Sequence, residues 1–214
     1  MIRKITLICA ASVALTVLAD TTADAYQLLS PQRKWYNTPV MVEFNNNYPE
    51  TSVTDGDYGK QAITASYFSN NGWNGTGAGT MLDGMILSRN AVQGDGRPTV
   101  QFNDPHGYCG GNCLAVTLTG FWHWRGGVEE IDDADIYFSP NTQFTSERED
   151  PSAFWDCSAG EFYIEGVLQH ELGHLLGLDH SGVVGATMYS GVSACDKTVD
   201  ELGNDDRNGI NALY

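Results

Sequence analysis

The chain is poor in basic residues. Its 214 residues include 11 lysines and arginines against 27 aspartates and glutamates, which gives a formal net charge of −16. A protein that binds nucleic acid needs a basic surface to neutralise phosphates. We therefore expect no nucleic-acid partner, and the length predicts a single domain.

Long apolar runs are also missing. After residue 25 no segment approaches the roughly eighteen apolar residues that a membrane-spanning helix needs. The apolar run Ile5–Ala19 is shorter and follows two basic residues, which is typical of a signal peptide. Ala23-Asp24-Ala25 has the small-x-small form of a cleavage site. We predict a signal peptide at residues 1–25 and a secreted protein of residues 26–214, extracellular or periplasmic, with no membrane attachment after cleavage.

Cysteine is scarce. The chain has five cysteines, and Cys9 lies in the predicted signal peptide. Four cysteines in an exported chain suggest two disulfides, for which three pairings exist. We favour Cys109–Cys113, which closes the Gly-rich loop YCGGNC, together with Cys157–Cys195. A zinc site made of all four cysteines is the alternative, which their spacing fits poorly.

The pattern of apolar residues predicts both strands and helices. Strands are expected at 35–44, 81–88, 98–102, 114–121 and 131–138. Helices are expected at 57–70, 158–178 and 204–214. Ser158 and Glu161 form a capping-box pattern for the second helix, although a start a few residues later is an alternative, and Gly177 is its natural stop. This order of elements predicts an α+β fold.

Three of the five histidines fall in one stretch, HELGHLLGLDHSGVVGATMY, at residues 170–189. On a helix, His170 and His174 lie about 40° apart around the axis and about 6 Å apart along it, so both imidazoles can reach one ion. The turn at Gly177 lets His180 return as a third ligand. Three protein ligands with an open fourth position are typical of catalytic zinc. We therefore predict one catalytic Zn²⁺ held by these histidines.

Glu171 follows the first histidine and is predicted to act as a general base rather than as a ligand. Zinc lowers the pKa of water toward about 7. Glu171 would take the proton as water attacks a carbonyl carbon and would pass it to the leaving amine. The alternative is an ordinary buried helix, but burying three histidines without a partner is costly.

The motif HExxHxxGxxH followed by a methionine turn is the metzincin signature, and here it reads HELGHLLGLDH and ATMY. Ser181 after the third histidine, the C-terminal LGNDDRNGINALY and residues 98–138 resemble the matrixins, in a minimal bacterial-type form. The resemblance covers residues 35–214 and is strongest from residue 160 onward. It implies a metzincin catalytic domain, with a twisted mixed β-sheet, an active-site helix, a second packing helix and a C-terminal helix.

The resemblance also implies roles for individual residues. The three histidines would bind catalytic zinc, Glu171 would be the acid/base, and Met188 would form a hydrophobic floor beneath the metal. Leu114, Ala115 and Val116 would lie on an edge strand that pairs with an extended peptide. An ordinary sheet strand is the alternative for these three. Protein or peptide substrates and a monomeric state are expected.

The sequence departs from the matrixin pattern in three ways. It has no PRCGxPD-type cysteine switch, and residues 26–34 leave no room for a prodomain, so we expect latency to work differently. The usual His/Asp/His/His set for a structural zinc is missing, and His106 and His123 are predicted to be surface residues. Structural Ca²⁺ remains a candidate without a fixed motif, through Asp104, Asp132, Asp133 or Asp135.

Signal cleavage has one further implication under the same resemblance. The new amine at Tyr26 would pair with Asp205 or Asp206, as the matured N-terminus does in some matrixins. The sequence thus predicts a secreted zinc endopeptidase. A catalytically weak peptide-binding module and a zinc hydrolase of a non-peptide amide are the alternatives.

Overall fold

The computed structural model describes residues 4–11, 26–45, 72–145 and 157–214. The helix predicted at 57–70 and the cleavage site predicted after Ala25 lie outside the described residues. Within these ranges, no helix combines the length and apolar character needed to cross a membrane.

The described residues form short strands, two α-helices and one 3₁₀ turn at Trp73–Gly75. The strands are β1 (Lys4–Ala11), β2 (Gln27–Leu28), β3 (Arg33–Lys34), β4 (Val40–Asn45), β5 (Leu82–Leu87), β6 (Thr99–Gln101), β7 (Cys113–Arg125), β8 (Val128–Phe138), β9 (Gln143–Thr145), β10 (Glu161–Tyr163) and β11 (Leu178–Asp179). The helices are α1 (Ile164–Leu176) and α2 (Asn204–Leu213).

The main sheet has the order β1-β7-β8-β6-β4-β5, with β3 added beside β8. The pairs β8–β6, β6–β4 and β4–β5 are parallel, whereas β7 is antiparallel to β8. The predicted α+β class and mixed sheet are therefore confirmed. Each of the five predicted strands overlaps a strand of this sheet, although residues 35–39 precede β4 and are not extended with it.

Strand β1 occupies the outer side of β7. It runs antiparallel to β7, with Ala10 opposite Ala115 and Cys9 opposite Val116. The segment predicted to be the start of a signal peptide thus pairs, in the uncleaved chain, with the strand predicted to bind substrate.

One face of the sheet packs against both helices. The largest hydrophobic cluster joins Phe44, Val100 and Ile136 of the sheet to Leu172 of α1 and Ile210 of α2. Because side chains alternate along a strand, Val116 and Leu118 point to the opposite face, where they pack with Tyr137 and both cysteines of the 109–113 loop. The sheet therefore holds α1 against β7 on one side and a disulfide-bonded loop on the other.

Helix α1 begins later than its capping-box pattern predicts. The Ser158 N–H does donate to Glu161 Oε2 at 2.8 Å, but these residues form a turn rather than a helix start. Glu161–Tyr163 instead pairs in parallel with Gln143–Thr145, so a tertiary strand pairing overrides the local signal. The helix ends at Gly177 as predicted, with a φ of 108°. A Cβ there would lie 2.2 Å from the Arg33 carbonyl oxygen, so only glycine fits.

Candidate active site

The three predicted zinc ligands come together at the C-terminal half of α1. His174 Nε2 lies 3.0 Å from His170 Nε2 and 3.2 Å from His180 Nε2. Helix α1 supplies the first two histidines, and the turn at Gly177 followed by β11 returns the chain so that His180 faces them. Among the described residues, this is the one group of three or more His, Cys, Asp or Glu side chains whose ligand atoms cluster closely enough to hold a metal.

Backbone carbonyls fix the orientation of two imidazoles. His170 Nδ1 lies 2.7 Å from the Thr187 oxygen, and His174 Nδ1 lies 2.9 Å from the Leu178 oxygen. A carbonyl only accepts, so each Nδ1 carries the proton and each Nε2 presents a lone pair. Metal-binding histidines are commonly oriented in this way.

The donor set fits zinc. Two imidazole nitrogens that both present lone pairs have no hydrogen bond to make with each other, so their closeness calls for a cation between them. Tetrahedral ligands at about 2.0–2.1 Å from Zn²⁺ lie about 3.3 Å from one another. The two separations of 3.0 and 3.2 Å are close to that value. All three groups are nitrogen donors, which suits zinc better than calcium.

Burial keeps the three histidines neutral. It lowers the pKa of His170 to about 4, with a further contribution from His180. Burial, followed by the neighbouring histidines, lowers the pKa of His174 well below its ordinary value. The pKa of His180 is also lowered by burial. Neutral imidazole is the form that binds a metal, so the site needs no deprotonation near neutral pH.

Glu171 is next to His170 in the chain and is fully buried, and a residue of the sheet contacts its carboxylate. The Thr117 hydroxyl on β7 lies 2.5 Å from Glu171 Oε2 and 3.2 Å from the Glu171 carbonyl oxygen. Sequence reasoning missed Thr117, because its partner is 54 positions away and only the packing of α1 on β7 joins them. LAVTLTGF alternates apolar residues and threonines, which predicted a strand but gave no partner for Thr117.

Met188 lies beneath the helix that carries the ligands. It is buried, and a Cβ on Gly173 would meet its sulfur at 2.3 Å, so the absence of a side chain at Gly173 lets the methionine approach. Asp206 holds the segment in place. Its two oxygens accept N–H groups from Thr187, Met188 and Gly203 at 2.8–2.9 Å. This anchoring by the start of α2 was not predicted from the sequence.

A second carboxylate of α2 stabilises the turn after the third histidine. Asp205 Oδ2 accepts a hydrogen bond from the Ser181 hydroxyl at 2.7 Å, and Oδ1 accepts one from the Tyr26 backbone N–H at 2.8 Å. Ser181 in turn donates its N–H to the Met188 oxygen at 2.7 Å. Residue 26 and residue 181 are thereby tied to the same helix.

A narrow pocket opens beside His170. It lies between α1 and the chain after Met188, and Gly166, Tyr189 and Val199 line it together with six neighbours. Val199 closes one wall, since a Cβ on Gly166 would lie 2.7 Å from Val199 Cγ2. The predicted edge residues Leu114, Ala115 and Val116 are all buried on β7.

Other predicted residues lie away from this site. Both favoured cysteine pairs are joined as disulfides, Cys109–Cys113 and Cys157–Cys195. His106 is exposed as predicted, and the His123 side chain lies outside the described part of the chain. The candidate calcium ligands Asp104, Asp132, Asp133 and Asp135 do not form a close cluster of three within the described ranges. Asp104 instead accepts the N–H groups of His106 and Cys109.

Comparisons with known proteins agree with this arrangement. The matrixin family model of the M10 peptidases matches residues 122–214. Metalloendoproteinase 5-MMP of Arabidopsis thaliana is 51% identical over 51 residues, which cover 24% of this chain and 14% of that protein. Interstitial collagenase of Bos taurus is 27% identical over 192 residues, covering 87% of this chain and 34% of that protein. The corresponding protein of Sus scrofa is 28% identical over 185 residues, covering 85% of this chain and 33% of that protein.

The histidine cluster on α1 and the methionine that approaches Gly173 fit the metzincin motif of the sequence. The chain is similar to the matrixins over residues 122–214, and its longer matches, to interstitial collagenases, are below 30% identical. It spans about a third or less of the length of the relatives just described.

Proposed function

We propose that this protein is a secreted zinc endopeptidase in which Glu171 is the general base. The observation that carries the proposal is the closeness of three histidine Nε2 atoms to one another, with the buried Glu171 next to the first of them in the chain. His170, His174 and His180 would hold the zinc. Zinc, when bound, supplies Lewis acidity toward a water molecule and toward the carbonyl oxygen of the substrate.

The chain's own residues perform the proton transfers. The Glu171 carboxylate takes a proton from the attacking water and later gives it to the leaving amine nitrogen. Its burial keeps bulk water from competing for that proton. Thr187 and Leu178, through their carbonyl oxygens, keep two imidazoles in the tautomer that binds metal.

Strand β7 would hold the substrate. Residues 9–11 pair antiparallel with residues 113–116, so this side of β7 accepts an extended chain. An extended peptide that replaced β1 after signal cleavage would form the same backbone hydrogen bonds, whatever its sequence. The side chain after the scissile bond would enter the pocket beside His170. Val199 on the wall of that pocket favours a small aliphatic residue there.

Secretion is supported by the two disulfides, because such bonds persist in oxidising compartments. We propose that the signal peptide at residues 1–25 is removed and that residues 26–214 act as a monomer without membrane attachment. Structural calcium remains a prediction, and a calcium-binding titration would test it.

The test is proteolysis by protein that a host has exported from the full-length gene. The purified protein is incubated with unfolded casein and with a peptide library, before and after treatment with a zinc chelator. We expect internal peptide cuts that stop with chelation and return when zinc is added back. Peptide binding without any cuts would favour the weak binding module. If the protein cleaved only non-peptide amides in a chelator-sensitive way, it would instead be a zinc hydrolase of such amides.

A further inference from the structure

A hydroxyl on the sheet contacts the proposed general base. Thr117 Oγ1 lies 2.5 Å from Glu171 Oε2, within the 2.5–2.7 Å range of charge-assisted O–H···O⁻ bonds. An ionised carboxylate only accepts hydrogen bonds, so the threonine is the donor. Such bonds are roughly twice as strong as neutral ones, and this one is sealed from water because both residues are fully buried.

Both residues of this contact lie in regular secondary structure. Thr117 lies in the regular part of β7, opposite Ile136 of β8, and Glu171 lies in the middle of α1. The hydroxyl also lies 3.2 Å from the Glu171 carbonyl oxygen, so it sits between the backbone and the carboxylate of the same residue. Since one carboxylate oxygen is held, the direction of the other is fixed as well.

We propose that Thr117 is a positioning residue that orients the Glu171 carboxylate for peptide hydrolysis. The inference rests on the proposed function. Thr117 keeps its own proton throughout and holds Oε2. Oε1 takes a proton from water as the water oxygen bonds to the carbonyl carbon, and it delivers that proton to the amine nitrogen as the carbon–nitrogen bond breaks. Thr117 contacts neither zinc nor substrate and acts through Glu171 alone.

A neighbouring threonine provides a matched control. Thr119 lies two residues further along β7, so it points to the same face, and it is equally buried. Within the described residues its hydroxyl has no hydrogen-bond partner. Replacing an unpaired buried hydroxyl by a methyl group leaves the free energy of unfolding nearly unchanged or raises it. The two threonines are therefore alike in burial and side-chain shape, but Thr117 contacts Glu171 and Thr119 does not.

The experiment compares Thr117→Val, Thr117→Ser and Thr119→Val in the exported protein. For each we measure kcat and KM on one internally quenched peptide, the zinc content and the midpoint of urea unfolding. We expect Thr117→Val to lower kcat by about 10- to 100-fold, which is the range found for residues that orient metal ligands by a hydrogen bond. KM and one zinc per chain should be retained. Thr117→Ser, which keeps the hydroxyl, should restore most of kcat, and Thr119→Val should behave as wild type.

Three results would overturn the inference. The first is a Thr117→Val kcat close to that of an active wild type. The second is an equal loss in the Thr117 and Thr119 variants, and the third is loss of zinc or folding in Thr117→Val without rescue by serine. If wild type cuts no peptide, the proposed function fails instead. Crystal structures of wild type and Thr117→Val then still test the inference. If the Glu171 carboxylate had the same orientation in both, Thr117 would not orient it.

Discussion

The backbone nitrogen of Tyr26 lies 2.8 Å from Asp205 Oδ1. The other oxygen of that carboxylate accepts the Ser181 hydroxyl, one residue after the third histidine. The sequence predicted a pairing of the Tyr26 amine with Asp205 or Asp206, and the geometry selects Asp205. In the uncleaved chain the donor is an amide. Cleavage after Ala25 would turn it into an ammonium group and the contact into an ion pair.

This contact predicts that the exact N-terminus affects stability. A protein that begins at Tyr26 should be more stable than one carrying a single extra residue, by about 1 kcal/mol in the free energy of unfolding, since a hydrogen bond between charged partners replaces a neutral one. Urea unfolding of the two forms measures the difference. In an Asp205→Asn background the two forms should have equal free energies of unfolding. An unchanged difference in that background would contradict the assignment.

Asp206 should matter more for folding than its neighbours at the start of α2. It accepts three backbone N–H groups while buried, and an amide in its place offers one oxygen and adds N–H donors of its own. We expect Asp206→Asn to cost about 2–4 kcal/mol in the free energy of unfolding and to weaken zinc retention, because Thr187 and Met188 lose their anchor. The exposed Asn204→Ala is the control. A stability equal to wild type would show that Asp206 does not hold this segment.

Val199 should limit which side chain the substrate places beside His170. Val199→Ala removes two methyl groups from a closed wall of the pocket. We expect kcat/KM for a phenylalanine after the scissile bond to rise relative to valine by about 10-fold, the order of effect for one or two methylene-sized groups. Val184, which is 78% exposed, offers the control Val184→Ala. If both variants kept the wild-type preference, the pocket would not select that residue.

Asp135 should make stability depend on pH. It is buried in β8, and burial together with Asp133 and Asp95 raises its pKa to about 8 from an ordinary value of 3.8. Between these values the folded state binds a proton that the unfolded state has lost. The free energy of unfolding therefore falls as pH rises, by at most about 1.4 kcal/mol per pH unit.

Urea unfolding at pH 7.0, 7.5 and 8.0 measures this slope, because at lower pH the three buried histidines, whose pKa values are lowered in the folded state, add a slope of the opposite sign. Asp135→Asn should remove it, because the amide does not titrate. The exposed Asp83→Asn should leave the slope as in wild type. A slope that persists in Asp135→Asn would assign the dependence to other groups.

The parts of the site that the sequence predicted are those encoded locally. His170 and His174 share one helix face, Gly177 ends that helix, and His180 follows within three residues. The contacts it missed join distant segments: Thr117 with Glu171 depends on how α1 packs across β7, and Asp206 with Met188 depends on where α2 returns. The start predicted for α1 at Ser158 was too early for the same reason, because Glu161–Tyr163 pairs with the distant strand Gln143–Thr145.

The most direct test of the account is the cleavage rate of Glu171→Gln at equal zinc content. The amide has nearly the shape of the carboxylate but does not accept a proton, so it should leave the three histidines and one zinc per chain intact. We expect kcat on the quenched peptide to fall by at least about 100-fold, the lower end of what a general base contributes. A glutamine variant that holds one zinc and cleaves the peptide at the wild-type rate would contradict the central claim.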